Sequence, residues 1–230
     1  MSYKHLFFDL DHTLWDHHRN ANETLDDLFE DYNLHQICKG SSSDFQEVFH
    51  DINHHLWEQY HLGEIDQQYI RDRRFPLVLG KLGALDGDIP KGLPEEYLLR
   101  CPQKPHLLPF ALEVLDYLKD KYQLTIITNG FSDVQDVKMR SSGLDAYFEH
   151  VVTSEQAGHL KPNPQIYYYT MGLFKAPSHH CLMIGDNAQT DIAGAQAIGM
   201  DQVYYDPSEQ QKAQNPTYHI SCLSQLKQIL

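Results

Sequence analysis

The sequence predicts an α/β protein: a doubly wound parallel sheet with an all-helical module inserted after the first strand. Three observations carry this. Short, continuous apolar runs end in carboxylates or small polar residues, as strands buried on both faces do. Helical patterns alternate with these runs over residues 105 to 207, which implies parallel strands joined by crossover helices. Residues 17 to 96 break that rhythm, with no convincing strand and with apolar residues at helical spacing.

The first strand is Lys4-His-Leu-Phe-Phe-Asp-Leu10 and the second Gln123-Leu-Thr-Ile-Ile-Thr-Asn-Gly130. Three more follow at His150–Thr153, Cys181–Asp186 and Gln202–Asp206, with a sixth candidate at Tyr218–Ser221. Between them, Pro109 opens a helical repeat running to Lys119, with Pro in the permitted first turn. Ala188 to Ile198 is Ala-rich and closed by Gly199, a helix with a glycine stop. In the module, Leu25, Leu28, Phe29 and Tyr32 fit one amphipathic stripe, and Phe45, Val48, Phe49, Ile52 and Leu56 another. The breaker-rich stretches Asp86–Pro94 and Cys101–Pro105 are expected to hold the return linker. Residues 1–16 with 97–230 thus form the sheet domain, and 17–96 the inserted domain.

With 230 residues, 41% hydrophobic and 22% charged, the chain can bury a core without disulfides or a structural metal. No apolar run reaches the roughly 18 residues that span a bilayer, and the opening segment meets Asp too early for a secretory signal. A cytoplasmic location is the expectation. Cys38, Cys101, Cys181 and Cys222 are scattered without metal spacing and read as reduced thiols. A net charge of −14 repels polyanions, so extended nucleic acid is excluded as a partner. The fifteen histidines include three adjacent pairs, but neighbours diverge on a strand or helix and seldom share an ion.

Four segments carry chemistry. Phe7-Phe-Asp-Leu-Asp-His-Thr-Leu14 sets Asp9 and Asp11 at the end of a buried strand, where a bound cation would offset the cost of desolvating them. Gly185-Asp-Asn-Ala-Gln-Thr-Asp191 ends another strand. Alone, this pattern serves structure as readily as chemistry, and Asp191 serves equally as a helix cap. Thr128-Asn-Gly130 offers a hydroxyl, backbone N–H groups and a following helix N-terminus, a phosphate cradle or an ordinary turn. Lys161-Pro-Asn-Pro164 places a lysine on a loop stiffened by proline. In open α/β sheets ligands bind at the carboxyl ends of strands, where all four lie.

In this order and spacing the segments closely resemble the four motifs of the haloacid dehalogenase-like (HAD) hydrolase superfamily. The resemblance spans nearly the whole chain. It implies a Rossmann-like core with an inserted helical cap, and a phosphatase that hydrolyses a small phosphomonoester through an aspartyl-phosphate. It also implies roles: Asp9 is the nucleophile and Asp11 the general acid/base. Thr128, Asn129, Gly130 and Lys161 hold the phosphoryl group, Lys161 and Thr128 also as catalytic residues. Asp9, the main-chain carbonyl of Asp11, and Asp186 bind Mg²⁺, with Mn²⁺ or Co²⁺ as substitutes. Asn187 and Asp191 stand behind these ligands, Asn187 where many relatives have a second acid.

Within the superfamily the first motif and Thr128-Asn-Gly look most like the YjjG-type 5′-nucleotidases, which take nucleoside monophosphates. Trp15, Trp57, Phe45 and Phe49 have two readings, base stacking and helix-bundle core, and their spacing favours the core. A dehalogenase would lack Asp11. A sugar-phosphate phosphatase, or a phosphomutase of the β-phosphoglucomutase type, would keep every residue named, whereas a catalytically silent binding module would not need them. The expected partner is a small phosphorylated metabolite, and the expected assembly a monomer or homodimer.

Overall fold

The computed structural model describes residues 3–209 and 213–230; Met1 and Ser2 of the opening segment lie outside the described residues. Six strands, β1 (His5–Phe8), β2 (Gln123–Thr128), β3 (His150–Thr153), β4 (Cys181–Gly185), β5 (Asp201–Tyr205) and β6 (Tyr218–Ile220), form one sheet in the order β3-β2-β1-β4-β5-β6. Every pairing is parallel. Strands advance outward on one side of β1 through β2 and β3, and on the other through β4, β5 and β6. Right-handed crossovers therefore fall on opposite faces, and the order reverses at β1, where a crevice opens at the strands' carboxyl ends.

Phe8 pairs with Ile126 of β2 and with Ile184 of β4, so Asp9 leaves the sheet beside the ends of both neighbours. The strands read as unbroken apolar runs because both faces are covered. Phe7, Ile127, Met183 and Val152 pack with Ile166, Tyr167 and Ala195, all buried.

The chain divides into two compact units, residues 3–17 with 105–230, and His18–Lys104. The second unit is helical. It holds α1 (His17–Asp31), which starts at the boundary, α2 (Ser42–His61), α3 (Gln67–Lys81) and α4 (Leu93–Arg100). Ser41 caps α2 through a reciprocal box with Asp44, and Asp66 caps α3. Phe45, Phe49, Phe75 and Tyr97 form its buried aromatic core, so Phe45 and Phe49 are core residues. Trp57 is half-buried at the α2 surface against Tyr60 and His61, and Trp15 is fully buried in the sheet unit.

The breaker-rich return segment holds more helix than its composition suggests. Pro94 occupies the first turn of α4, where its missing N–H goes unneeded, and Tyr97 of α4 packs on Phe49 and Phe75. The helical unit consequently runs past residue 96 to Lys104.

The sheet unit continues with α5 (Ala111–Leu118), α6 (Ser132–Ser141), the short α7 (Ser154–Ala157) and α8 (Pro164–Phe174). The Ala-rich stretch after β4 is not one helix. It is a π-helical turn, Ala188–Ile192, running into α9 (Ala193–Gln196), and α10 (Leu226–Ile229) ends the chain. No helix among the described residues is long and apolar enough to cross a membrane.

Candidate active site

Five backbone segments meet at the carboxyl end of the sheet. After β1 the chain folds into a tight loop: the N–H groups of Leu14 and Trp15 both donate to the Leu10 carbonyl at 2.9 Å, and His12 adopts the left-handed region at φ 64°. This loop carries Asp9, Asp11 and Thr13. The Asp9 N–H donates to Ile184 O of β4 at 2.9 Å, tying the first motif to the fourth.

Lys161 is the hub. It is 2% exposed, and its Nζ donates to Asp9 Oδ1 at 2.6 Å, to Asp191 Oδ1 at 2.6 Å and to the Ile127 carbonyl at 2.9 Å. All three ammonium donors are thereby satisfied, which a buried lysine requires. Its position is set by Asn129, whose side chain clamps the Lys161 backbone at both ends: Nδ2 donates to Lys161 O at 2.9 Å, and Oδ1 accepts from Lys161 N at 2.8 Å. The second and third motifs are thus locked together. Thr128 is buried, and its Oγ1 accepts from the Gly130 N–H at 2.9 Å. A Cβ on Gly130 would fall 1.9 Å from Gln135 Nε2, so a side chain here would have to displace the Gln135 amide.

Asp9, Asp186 and Asp191 each place a carboxylate oxygen within 4.8 Å of the others, the one such group of metal-ligating side chains among the described residues. Asp191 is completely buried; besides Lys161 it accepts from the Asn187 N–H at 3.0 Å. The helix cap here is Asn187, whose Oδ1 accepts from the N–H groups of Gln189 and Thr190. A Cβ on Gly185 would lie 2.3 Å from Asp191 Oδ2, so the glycine lets Asp191 reach the lysine. Asp11 lies apart from this group. Both its oxygens contact Lys138 Nζ, at 2.7 and 2.9 Å.

Three contributors escaped the sequence reading. The Thr13 hydroxyl accepts from Asp186 N at 3.1 Å and shares its proton between Asp186 Oδ1 at 3.1 Å and Asp9 Oδ2 at 3.3 Å. Lys138 of α6 is buried. Tyr167 of α8 donates to the Thr190 carbonyl at 2.8 Å and supports the π-helical turn from below. The Asp-x-Asp-x-Thr spacing marks Thr13, while Lys138 and Tyr167 look like ordinary helix residues in sequence.

Burial pushes the Asp9 carboxyl up to about 7; Lys161 opposes that rise, and Asp191 and Asp11 add to it. Burial, together with Asp9 and Asp191, lifts Asp186 well above the usual carboxylate range. For Lys161, burial works against the charge, but Asp191 and Asp9 outweigh it and hold the ammonium above the ordinary lysine value. The site joins crowded hard-oxygen donors to one fixed cation, an arrangement suited to binding a divalent ion and an oxyanion side by side.

The family model for haloacid dehalogenase-like hydrolases matches residues 3–199. The chain is 30% identical over 233 residues to the pyrimidine 5′-nucleotidase YjjG of Escherichia coli, covering 100% of this chain and 99% of that one. It is 31% identical over 226 residues to the pyrimidine 5′-nucleotidase PynA of Streptococcus pneumoniae, covering 96% and 92%. A crystal structure of the HAD-hydrolase YfnB of Bacillus subtilis bound to magnesium matches with a TM-score of 0.88 at 30% identity, over 100% of this chain and 99% of that one. On its motifs, its sheet order and these matches along nearly its full length, the chain belongs to the haloacid dehalogenase-like hydrolase family.

Proposed function

We propose that this hydrolase is a Mg²⁺-dependent phosphatase of small phosphomonoesters, with nucleoside 5′-monophosphates as its substrate class. The observation that carries the reading is the meeting of Asp9, Asp186 and Asp191 within 4.8 Å, with Lys161 at 2.6 Å from Asp9. Among the described residues, the four carboxylates of Asp9, Asp11, Asp186 and Asp191 lie with the two ammonium groups of Lys161 and Lys138. Such an oxygen-rich, underneutralised cluster fits a small hard cation. Asp9, Asp186 and the Asp11 carbonyl would hold Mg²⁺, or Mn²⁺ or Co²⁺ in its place, with Asn187 and Asp191 behind them; the ion would supply charge stabilisation to the phosphoryl oxygens.

The chain's own residues do the rest. An Asp9 oxygen attacks phosphorus, the bond from phosphorus to the ester oxygen breaks, and its electron pair leaves with that oxygen, which takes a proton from Asp11. Asp11 then accepts a proton from water as the water oxygen attacks the aspartyl-phosphate. The bond to Asp9 breaks, and its electrons return to the carboxylate. The Thr128 hydroxyl and the backbone of Asn129 and Gly130 hold the phosphoryl oxygens, and Lys161 joins them by exchanging its hydrogen bond to Asp9 for one to the phosphoryl group while keeping those to Asp191 and the Ile127 carbonyl. Asp191 keeps Lys161 aimed. Asp11, which a dehalogenase does not need, supports phosphoryl over carbon chemistry. The helical unit is the proposed cap domain and the seat of selectivity. The names of YjjG and PynA support pyrimidine nucleotides as the first substrates to try.

The test is phosphate release from pyrimidine and purine nucleoside monophosphates, sugar phosphates and phosphoglycolate, with Mg²⁺ or EDTA, on wild type and Asp9→Asn. Preference for nucleotides, abolished by EDTA and by the variant with its circular dichroism unchanged, is the expected result. Preference for a sugar phosphate would move the substrate class. Isomerisation without phosphate release would replace the phosphatase reading by a mutase, and no turnover of any compound would sink it.

A further inference from the structure

We infer that Lys138 is a positioning residue: it holds the Asp11 carboxyl where it can deliver a proton to the leaving oxygen. The inference rests on the role proposed for Asp11. Lys138 lies on α6, eight residues past the Thr128-Asn-Gly130 motif, and is 7% exposed. A lysine buried to that degree needs partners, and it has two from one loop. Its Nζ bridges Asp11 Oδ1 at 2.7 Å and Oδ2 at 2.9 Å, and it stands 4.4 Å from the centre of the Trp15 ring, which is itself fully buried.

The loop between these partners is closed by its own backbone: His12 N donates to Trp15 O at 3.0 Å, and Trp15 N to Leu10 O at 2.9 Å. Asp11 and Trp15 therefore present one rigid seat, and the ammonium plugs it. The Lys138 end is equally fixed, since its carbonyl accepts from the Ser142 hydroxyl at 2.6 Å in the last turn of α6. Two contacts to one carboxylate remove its freedom about the Cβ–Cγ bond. Without them, Asp11, whose side chain is 24% exposed, would sample other rotamers toward solvent. Asp11 has a separate task from the Asp9, Asp186 and Asp191 group, and Lys138 accounts for that separation: it draws the carboxylate to the α6 side, while Lys161 governs the other three.

The readout is leaving-group dependence. A nucleotide expels a poor leaving alkoxide that needs a proton, whereas p-nitrophenyl phosphate expels a stable phenolate that does not. In the Mg²⁺-loaded full chain, Lys138→Met is expected to lower kcat for the preferred nucleoside monophosphate about 10- to 100-fold, as misplacement by roughly 1 Å does. The loss with p-nitrophenyl phosphate should be at least about tenfold smaller, and KM for the nucleotide should change less than about threefold. Asp11→Asn should show the same signature, and the double variant should be no slower than Asp11→Asn alone. Equal losses on both substrates would overturn the inference, because they mean a structural role or direct phosphate binding. If Asp11→Asn itself shows no leaving-group dependence, the role of Asp11 fails first; if Asp11→Asn shows it and Lys138→Met does not, only the positioning role fails. Should Lys138→Met not fold by circular dichroism, Lys138→Gln is read in the same way.

Discussion

Replacing Lys161 by methionine removes the cation from a buried cluster of acids and keeps the volume of the side chain. The wild-type ammonium meets two carboxylates at 2.6 Å and a main-chain carbonyl at 2.9 Å, at 2% exposure. Taking one partner from a buried charge pair costs about 3–5 kcal/mol, because the remaining charges stay buried without compensation. In metal-free buffer the variant can relieve that cost only by binding a proton. A carboxyl whose pKa in the folded protein is raised stabilises the protein fully below its unfolded value, and that contribution is lost as pH rises through the folded value.

Asp9 already sits at about 7 with Lys161 holding it down, so removal of the lysine moves the cluster higher still. For each proton the variant binds beyond wild type, its deficit grows by about 1.4 kcal/mol per pH unit. The lysine's own titration, raised above its ordinary value, falls outside the interval from pH 5 to 8 and leaves the slope untouched. Urea unfolding of both proteins in EDTA should give a difference of about 3–5 kcal/mol at pH 8, shrinking by more than half at pH 5. A difference that is the same at both pH values, or below about 1 kcal/mol at pH 8, would show that the acids are not coupled through Lys161.

Wild type in EDTA should itself lose about 3 kcal/mol between pH 5 and pH 8 from Asp9 alone, given the rise from 3.8 to about 7. Asp9→Asn should flatten that slope, and an unchanged slope in the same urea titrations would place the proton elsewhere. Gly185→Ala forces a Cβ to 2.3 Å from Asp191 Oδ2; it should cost about 1–3 kcal/mol and reduce Mg²⁺ affinity measured by calorimetry, and a variant as stable as wild type would refute the packing argument. Addition of Mg²⁺ should raise the melting temperature of wild type in scanning calorimetry, and Asp186→Asn should remove most of that rise; an equal rise in the variant would put the ion elsewhere. Phe49→Leu in the aromatic core of the helical unit should destabilise by about 1 kcal/mol and leave KM for a nucleotide within about twofold. A tenfold increase in KM would assign Phe49 to base binding.

The strands and the acids at their ends were legible because both leave local marks: an apolar run buried on two faces, then a carboxylate at its close. What escaped was decided by contacts distant in sequence. Asp191 reads as a cap or a support until the fold brings Lys161 to it across 30 positions. Asn187 takes the cap instead, a choice that rests on a side-chain rotamer and not on spacing. Lys138 sits in a polar helix, where a lysine ordinarily faces water, and only the fold shows that it points at Asp11 across 127 positions. Helix α4 was hidden by Pro94, a breaker in composition but a starter in the first turn. The Ala-rich stretch read as a single helix because periodicity does not separate a π-helical turn from an α-helical one.

The charge arrangement links stability to the proposed chemistry. With all groups ionised, the acids Asp9, Asp11, Asp186 and Asp191 exceed Lys161 and Lys138 by two charges, the charge of one divalent cation. Without an ion the buried members meet that excess by holding protons, which is what the raised Asp9 and Asp186 express. A nucleophile must be a carboxylate, so ion binding and activation of Asp9 become one event, accompanied by proton release. Lys161 cannot substitute for the ion, because its three donors are already committed to Asp9, Asp191 and the Ile127 carbonyl. A bound divalent ion would therefore carry the remaining two charges. Proton release on Mg²⁺ binding, measured as the buffer dependence of the calorimetric enthalpy near pH 6, below the Asp9 value of about 7, should approach one proton and should fall in Asp9→Asn. Release that is absent in wild type, or undiminished in the variant, would separate the metal from the nucleophile and dismantle this account.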